Sequence, residues 1–205
     1  MNALTIVETR PLEVPELTTA RLVLKAPDEN VIPRMVELAD NRAVAENLGT
    51  MPHPYTQDSA HEWMAGKTNS NASDYRFAIY LNIPEPAFIG IIGFRVPDKL
   101  GQSEIGYWIG EPYWGRGYAS EAVLAILDHG FSIEGLSQMQ AECRITNMGS
   151  RRVLEKCGFE YRGFAKRHNR ALGEDVPVDC FALSKPRFKG LQIRRNGRIG
   201  LRGMR

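Results

Sequence analysis

The stretch that decides the fold is EIGYWIGEPYWGRGYASEAV, residues 104–123. The segment 103–110 mixes apolar residues with small or polar ones and ends at a glycine, which predicts a β-strand. The segment 118–131 carries an apolar stripe at the spacing of an α-helix. Two glycines, Gly115 and Gly117, lie in the turn between them. We therefore expect a strand, a glycine turn and a helix in direct succession.

The glycine turn is a candidate anion site. Small residues leave main-chain N–H groups accessible, and the N-terminus of the following helix adds a partial positive charge. Arg116 lies in the same turn and can reach a further phosphate. A tight turn that needs glycine only for positive φ explains the same residues, so both interpretations stay open here. The spacing also partly matches a dinucleotide-binding G-x-G-x-x-G pattern, but the consecutive strands before it contradict that fold.

The rest of the chain predicts an α+β domain with a mixed sheet. Strand-like runs occur at 75–81, 88–96 and 103–110, and the short breaks between them favour antiparallel pairing. The third of these strands, the helix after it and a strand at 139–145 form a β-α-β unit. Further strands are expected at 21–26, 159–167 and 176–184, and further helices near 28–38, 42–48, 56–64 and 147–158.

Composition bounds the class of protein. The 205 residues are 43% hydrophobic and 24% charged, which suits one domain with a substantial core. No apolar run approaches the roughly 18–20 residues that span a bilayer, and 1–14 lacks the apolar region of a secretory signal. Three scattered cysteines, Cys143, Cys157 and Cys180, fit reduced thiols and lack the paired spacing of a zinc site. We expect a cytoplasmic protein with no membrane contact and no metal.

The basic charge is concentrated at the C-terminus. Residues 184–205 hold eight Lys or Arg and no acid, so the rest of the chain has 18 basic and 24 acidic residues, a net charge of −6. We divide the chain into a lead-in (1–16), a folded domain (17–184) and a basic tail (185–205) that we expect to be disordered. Electrostatic contact of the tail with RNA or a ribosome is an alternative, but sparse aromatic residues favour a solvated extension.

Three segments, in order, resemble the GNAT superfamily of acyl-CoA-dependent N-acyltransferases. They are EIGYWIG (104–110), YWGRGYASEAV (113–123) and NMGSRRVLEKCGFE (147–160). The opening TARLVLKAP and the loop NLGTMPHPYT are also similar to the subgroup that includes bacterial ribosomal-protein alanine N-acetyltransferases. The resemblance spans 17–184. It implies the GNAT fold, a mixed and mostly antiparallel central sheet with splayed parallel central strands, flanked by helices.

The resemblance implies acetyl-CoA as co-substrate, bound on the strand and turn quoted above. The family's pyrophosphate turn begins with Gln or Arg, whereas Trp114 stands at that position here, so main-chain amides would carry the contact. The strand would pair its main chain with the pantetheine arm, and an N–H near Ile109 would hold the thioester carbonyl. Asn147 matches the family's asparagine that contacts the arm. The residues implied in coenzyme binding are Trp108, Ile109, Gly110, Trp114, Gly115, Arg116, Gly117, Tyr118, Ala119, Ser120 and Asn147.

The same resemblance implies two catalytic candidates. Related enzymes often use a glutamate on the strand before the turn as general base, and Glu104 lies there; a solvated or ion-paired strand residue is the alternative. Ser150 follows Asn147 by three residues on one helix face. In the resembling subgroup a serine there can protonate the departing sulfur, although it can also simply bond the backbone. Tyr107 and Trp108 point to opposite faces of their strand, and one of them is expected to line the acyl site.

Together these observations predict an acetyl-CoA-dependent N-acetyltransferase. A primary amine, at a protein N-terminus or in a small molecule, must lose a proton and then attack the thioester carbonyl directly. A main-chain N–H stabilises the oxyanion of the tetrahedral intermediate. A non-catalytic acetyl-CoA-binding sensor or partner-binding module is the alternative, and it would keep Gly115, Gly117 and Asn147 without a working base. Dinucleotide binding is a third hypothesis, and the chain can be a monomer or a homodimer.

Overall fold

The computed structural model describes residues 14–66, 73–96, 103–132 and 135–200. Within them the chain forms an eight-stranded sheet with helices on both faces. The strands are β1 (Leu17–Thr18), β2 (Leu22–Lys25), β3 (Ser73–Leu81), β4 (Phe88–Val96), β5 (Ser103–Ile109), β6 (Gln138–Arg144), β7 (Glu160–Asn169) and β8 (Glu174–Ser184). The helices are α1 (Ile32–Ala39), α2 (Arg42–Ala45), α3 (Gln57–Met64), α4 (Tyr118–Ser132), α5 (Met148–Cys157) and α6 (Lys185–Gly200).

The sheet is mixed, as predicted, with the order β1-β2-β3-β4-β5-β6-β8-β7. All neighbouring strands are antiparallel except β5 and β6, which are parallel and are joined by α4. The predicted β-α-β unit is therefore confirmed. A parallel pair needs a crossover connection, and the apolar stripe of α4 supplies one that packs back on the sheet. The glycine turn lies between β5 and α4, at the carboxyl end of the central strand.

Alternate residues of β5 face two separate cores. Ile105 and Ile109 are buried with residues of α4, α5 and α6 on one face of the sheet, and Tyr107 packs against this core. Trp108 packs on the other face, in the core formed with α1, α2 and α3. The predicted opposition of Tyr107 and Trp108 is confirmed. Because side chains alternate along a strand, one short strand contributes to both sides of the molecule.

Local signals account for several helix ends. Asn41 and Thr56 cap α2 and α3 through side-chain oxygens that accept main-chain N–H groups. Asp28 caps a short 3-10 turn and not α1 itself. This turn then leads into α1. Gly158 ends α5 with φ of 105°, the left-handed conformation that favours glycine. A side chain at Gly158 would also meet Leu191, since an ideal Cβ lies 2.3 Å from the Leu191 Cδ1 atom.

The expectation of a disordered tail over 185–205 is wrong for its first part, which forms α6. Phe188 is only 2% exposed in the core beside α4. The Arg187 Nε group donates to the Gly158 carbonyl at 2.9 Å. Lys and Arg are good helix formers, and Phe188 and Leu191 lie three residues apart on one face. This apolar pair anchors a segment whose overall composition resembles that of a disordered chain.

Other predictions fall partly outside the described residues. The lead-in 1–16 is described only from Val14, which packs against the core, and 201–205 lie outside the description. The division of the chain at 16/17 stays a prediction. Across the part of the chain that the structure describes, no helix has the length and apolar character needed to cross a membrane.

Candidate active site

The site begins where β5 and β6 separate. These parallel strands share register only at Ser103 with Met139 and at Glu104 with Gln140. Beyond Glu104, β5 continues beside β4 as far as Ile109, while β6 continues beside β8. The two central strands therefore diverge into a V-shaped opening, which we call the splay. Splayed parallel central strands were expected from the sequence and are confirmed.

The main chain of Ile109 faces the splay. The Gly110 N–H donates to the Ile89 carbonyl of β4 at 2.8 Å. The N–H and the C=O of one trans peptide point in opposite directions, so the Ile109 carbonyl points away from β4. In a strand, the N–H of the same residue lies on the same side as its carbonyl. The Ile109 N–H and C=O are thus directed into the opening, where an extended amide chain can pair with them.

The glycine turn has the backbone of an anion cradle. Gly115 and Gly117 have φ of 74° and 82°, a conformation that other residues adopt only at a cost. The turn leads into the first residues of the 15-residue helix α4, whose N-terminal N–H groups carry partial positive charge. Arg116 is exposed beside them. Main-chain amides, a helix N-terminus and a cation together suit a diphosphate.

Three of the predicted coenzyme residues in this turn have distinct surroundings. Ser120 is buried, with 6% of its surface exposed. Trp114 is 44% exposed, and its indole Nε1 donates to the Ile109 carbonyl at 2.5 Å. The Arg21 guanidinium lies over the Tyr118 ring, with the Arg21 Cζ atom 4.8 Å from the ring centroid. Their roles in coenzyme binding stay predictions.

Sequence reasoning missed the residue that braces the turn. Arg21 donates from Nη1 to the Arg116 carbonyl at 3.0 Å and from Nε to the Glu121 carboxylate at 2.7 Å. Glu121 also accepts from the Arg21 N–H and from Thr19 Oγ1. Burial opposes these hydrogen bonds, but they outweigh it and lower the pKa of Glu121. The partners are about 100 residues apart in sequence, so local spacing carries no signal of this brace.

Two hydroxyls meet on the α5 side of the splay. Asn147 caps α5, accepting the Ser150 N–H at 3.0 Å. Ser150 Oγ in turn lies 2.9 Å from the Tyr107 hydroxyl of β5. Burial raises the pKa of the Tyr107 phenol, and the hydrogen bond to Ser150 opposes that rise. The Cys143 thiol also interacts with Ser150, although burial raises its pKa to about 11, so this thiol is a poor nucleophile at neutral pH.

Glu104 lies on the opposite face of the sheet from Ser150. Its side chain is exposed as a whole, yet its carboxyl is partly desolvated. This burial and the charge of Glu142 raise the pKa of Glu104, while Arg95 and Arg167 act in the other direction. A raised pKa makes a carboxylate a stronger base near neutral pH. The two catalytic candidates therefore flank the splay rather than contact each other.

Space and charge surround Glu104 on this face. An ideal Cβ at Gly106, the next residue on the face, meets no described atom within 4 Å. Glu142 on β6 is held by two Arg167 nitrogens at 2.6 and 2.8 Å. The face is closed at one end by Trp108, whose ring contacts Phe88 edge to face at 6.0 Å. The space above Gly106 is therefore open on the face that carries Glu104.

On this face, residues of β6, β7 and the turn after β7 donate hydrogen bonds to main-chain carbonyls of the loop after α2. Asn169, fully buried on β7, donates from its amide to the Glu46 carbonyl at 3.0 Å. Arg144 donates to the same carbonyl at 2.8 Å. The Arg170 N–H donates to the Gly49 carbonyl at 3.0 Å. The loop after α2 is therefore fixed against the β7–β8 hairpin. Within the described residues, no group of three or more His, Cys, Asp or Glu side chains is arranged to hold a metal ion.

Comparison with known proteins matches the segment that builds this site. A family model described as an acetyltransferase (GNAT) domain matches residues 21–160. The match runs from Arg21, which braces the turn, to the first residue of β7, and it includes the splay, the turn and α5. It covers more than half of the chain.

Curated relatives that carry enzyme names include the following two. The uncharacterized N-acetyltransferase p20 of Bacillus licheniformis is 34% identical over 116 residues, which are 56% of this chain and 65% of p20. The ribosomal-protein-serine acetyltransferase of Escherichia coli (strain K12) is 31% identical over 90 residues, 43% of this chain and 50% of the relative. The matched segments thus span 50% to 65% of these curated relatives.

Two solved structures share the fold. The acetyltransferase (GNAT family) from Bacillus anthracis has a TM-score of 0.72 at 23% identity, over 84% of this chain and 99% of that one. The spermidine N-acetyltransferase from Vibrio cholerae, in complex with CoA and spermine, has a TM-score of 0.70 at 20% identity. The match covers 83% of this chain and 99% of that one. At these identities the likeness establishes the fold alone.

Proposed function

The chain belongs to the acetyltransferase (GNAT) domain family, and from this premise we propose that it transfers an acetyl group from acetyl-CoA to a primary amine. The observation that carries the proposal is the alignment of the splay with the glycine turn. The Ile109 main chain opens into the splay, and Gly115 and Gly117 follow within eight residues at the N-terminus of α4. One extended ligand with an amide arm and a diphosphate fits both features.

The coenzyme would be held mostly by main-chain groups. The amides of the turn and the first turn of α4 would bind the pyrophosphate, with the exposed Arg116 as a cation beside it. The arm would run along the edge of β5 that faces the splay, where Ile109 has one N–H donor and a carbonyl acceptor that the Trp114 indole also contacts. The Ile109 N–H would stabilise the oxyanion that forms when an amine adds to the thioester carbonyl. These contacts need no particular side chain at Trp114.

Glu104 is our candidate general base. The acceptor would enter from the face of Gly106 and Trp108, because the coenzyme arm occupies the splay from the turn side. A primary amine is mostly protonated at neutral pH, so a base must take one proton before the nitrogen attacks the carbonyl carbon. Partial burial and the nearby Glu142 raise the pKa of Glu104 toward the range where it can accept that proton. A bridging water is a suitable carrier.

Ser150 is our candidate general acid. Collapse of the tetrahedral intermediate breaks the C–S bond and leaves a thiolate, which is stabilised by a proton or a hydrogen bond. Ser150 lies at the start of α5 on the face that carries Tyr107, with its hydroxyl 2.9 Å from the phenol. Tyr107 keeps its own proton, since burial raises the pKa of its phenol. It can therefore orient the serine hydroxyl and restore its hydrogen bond after transfer.

The acceptor class is proposed from chemistry and from the names of relatives. One relative is named for serine of a ribosomal protein, and one structural neighbour for spermidine. We propose a protein N-terminus or a small primary amine, in a cytoplasmic setting that is consistent with reduced cysteines. The proposal includes no metal and no second organic cofactor. A monomer or a homodimer serves this chemistry equally.

The test is release of free CoA thiol from acetyl-CoA with a panel of amines. The panel holds peptides with varied N-termini, polyamines, amino acids and amino sugars, with a control that lacks the acceptor. We expect release with one class and loss of turnover in Glu104→Gln with nearly unchanged acetyl-CoA affinity. Glu85→Gln, an exposed glutamate in the β3–β4 turn, is the matched control.

Two results would contradict the proposal. Tight acetyl-CoA binding without transfer to any amine or protein acceptor would favour a non-catalytic sensor. Failure to bind acetyl-CoA at all, with measurable binding of a nicotinamide dinucleotide, would favour the dinucleotide hypothesis. Equal activity of Glu104→Gln and the wild-type protein would remove Glu104 from the mechanism without removing the activity.

A further inference from the structure

The Trp114 side chain occupies an acceptor that the coenzyme arm would use. Its indole Nε1 donates to the Ile109 carbonyl at 2.5 Å, although 44% of the residue is exposed. The ring folds back from the glycine turn across the carboxyl end of β5. Ile109 is the last residue of that strand, and its carbonyl points into the splay, as the Gly110 hydrogen bond to β4 requires. A side chain of the turn thus pairs with the strand edge.

The backbone of Trp114 is held independently of its ring. Its main-chain N–H donates to the Glu111 carbonyl at 3.1 Å, and its φ and ψ are extended at −64° and 159°. Rotation about the side-chain bonds is therefore enough to withdraw the indole from Ile109. No change of the Gly115 or Gly117 backbone is needed. The exposure of the ring means that the rotation meets little packing resistance.

We propose that Trp114 competes with an amide of the pantetheine arm for the Ile109 carbonyl, and so sets the affinity and association rate of the coenzyme. The inference rests on the proposed function, because it assumes that the arm lies along β5. The indole N–H takes one of the two acceptor positions of the carbonyl oxygen, so a donor on the arm competes with it for the position that faces the splay. Binding of the arm therefore exchanges one hydrogen bond for another instead of adding one. The indole thus lowers the net gain in binding free energy.

A conservative variant separates the N–H from the ring. Trp114→Phe keeps an aromatic side chain but has no donor for the Ile109 carbonyl. We expect it to bind CoA about 3- to 10-fold more tightly than the wild-type protein, the range that corresponds to the net worth of one neutral hydrogen bond. The gain should appear mainly as faster association in stopped-flow measurements. Trp63→Phe, on α3 in the other core, is the matched control and should leave CoA affinity unchanged.

A truncated ligand shows whether the effect belongs to the arm. The probe 3′-phospho-ADP contains the nucleotide and the pyrophosphate but lacks pantetheine. Its affinity, measured by calorimetry, should be the same in Trp114→Phe and in the wild-type protein, because the turn amides are untouched. Thermal unfolding of both proteins, followed by circular dichroism, checks that the variant folds.

The outcomes distinguish this inference from the function on which it rests. Tighter CoA with unchanged 3′-phospho-ADP supports the competition. Unchanged or weaker CoA binding in a folded Trp114→Phe overturns it, the weaker case indicating that the indole contacts the coenzyme. Equal tightening of both ligands also overturns it, since the effect would then come from the turn. A wild-type protein that binds neither ligand overturns the proposed function itself.

Discussion

The Tyr107 and Ser150 hydroxyls lie 2.9 Å apart, and this contact joins β5 to the first turn of α5 across the splay. Asn147 fixes the same turn by capping it. The serine hydroxyl is therefore positioned from two directions, by a phenol on the strand and by the backbone of its own helix. Such a contact is the kind of support that a proton donor to a leaving group needs.

Removal of the phenol should impair turnover without impairing coenzyme binding. We expect Tyr107→Phe to lower kcat about 3- to 10-fold, because the Ser150 hydroxyl loses a neutral hydrogen bond that orients it. Ser150→Ala should lower kcat by about a hundredfold if it supplies the proton. In a double-mutant cycle the Tyr107 effect should vanish once Ser150 is alanine. Steady-state kinetics measure this, and losses that multiply would show that the two hydroxyls act independently.

The acidic limb of the pH–rate profile should report Glu104. Burial and the Glu142 charge raise the pKa of Glu104, so the limb of kcat/KM should lie above the value of an ordinary glutamate, about 4.3. Glu142→Gln removes a negative neighbour and should move the limb to lower pH. Arg95→Gln removes a positive one and should move it to higher pH. Shifts of both variants in the same direction would mean that another group controls the limb.

Two glycines near the site should respond in opposite ways to alanine. Gly117 has φ of 82°, so Gly117→Ala should cost about 1–2 kcal/mol of stability and weaken CoA binding. Gly106 lies in open space on the face from which we propose that the acceptor enters, so Gly106→Ala should not lower stability. It should instead raise the KM of the amine while leaving that of acetyl-CoA unchanged. A Gly106→Ala enzyme with wild-type acceptor kinetics would place the acceptor elsewhere.

The brace around Glu121 should give a stability difference that depends on pH. Hydrogen bonds from Thr19 and Arg21 outweigh burial and lower the folded-state pKa of Glu121. Its stabilisation is therefore complete above the unfolded pKa, about 4.3, and is lost as the pH falls through the lower folded value. We expect Glu121→Gln to cost about 1–2 kcal/mol at neutral pH. Urea unfolding should show that the difference in unfolding free energy between Glu121→Gln and the wild-type protein shrinks below about pH 4. A difference that does not change with pH would contradict this account.

The first turns of α6 should contribute to stability. Phe188 is 2% exposed and lies 5.3 Å from Phe131 between ring centroids. Truncation of a buried phenylalanine costs about 3–5 kcal/mol, so Phe188→Ala should lower the melting temperature clearly. Ile193, 72% exposed on the same helix, is the matched control and should tolerate alanine. A melting temperature unaffected by Phe188→Ala would restore the expectation of a detached tail.

Strong local patterns predicted most of the fold. The strand at 88–96 matches β4 residue for residue, and the helix expected near 147–158 forms α5, Met148–Cys157. The helix after the glycine turn also begins at Tyr118 as predicted. These elements carry their signals in consecutive residues: alternation, a helical stripe, a cap or a stop.

Features that depend on distant partners escaped the sequence. The two-residue strand β1 exists only because it pairs with β2. Arg21 gives no sign in its own neighbourhood that it holds the Arg116 carbonyl. The contact of Tyr107 with Ser150 and the indole bond of Trp114 to Ile109 also join residues whose meeting depends on how strands and turns pack. Composition alone gave the wrong prediction for α6. Its glycine-rich, basic composition is typical of a disordered chain, but the apolar residues Phe188 and Leu191 anchor the helix.

The alternation of β5 has a consequence for how such a protein can diversify. Glu104 and Trp108 belong to one face of the sheet, whereas Tyr107 and Ile109 belong to the other. Substitutions at even positions therefore reshape one entrance and leave the other side of the strand intact. Residues packed with α1, α2 and α3 can therefore change around Glu104 without altering the packing of α4 and α5 on the other face. One seven-residue strand thus serves two cores, with the proposed base Glu104 on one face and Tyr107 on the other.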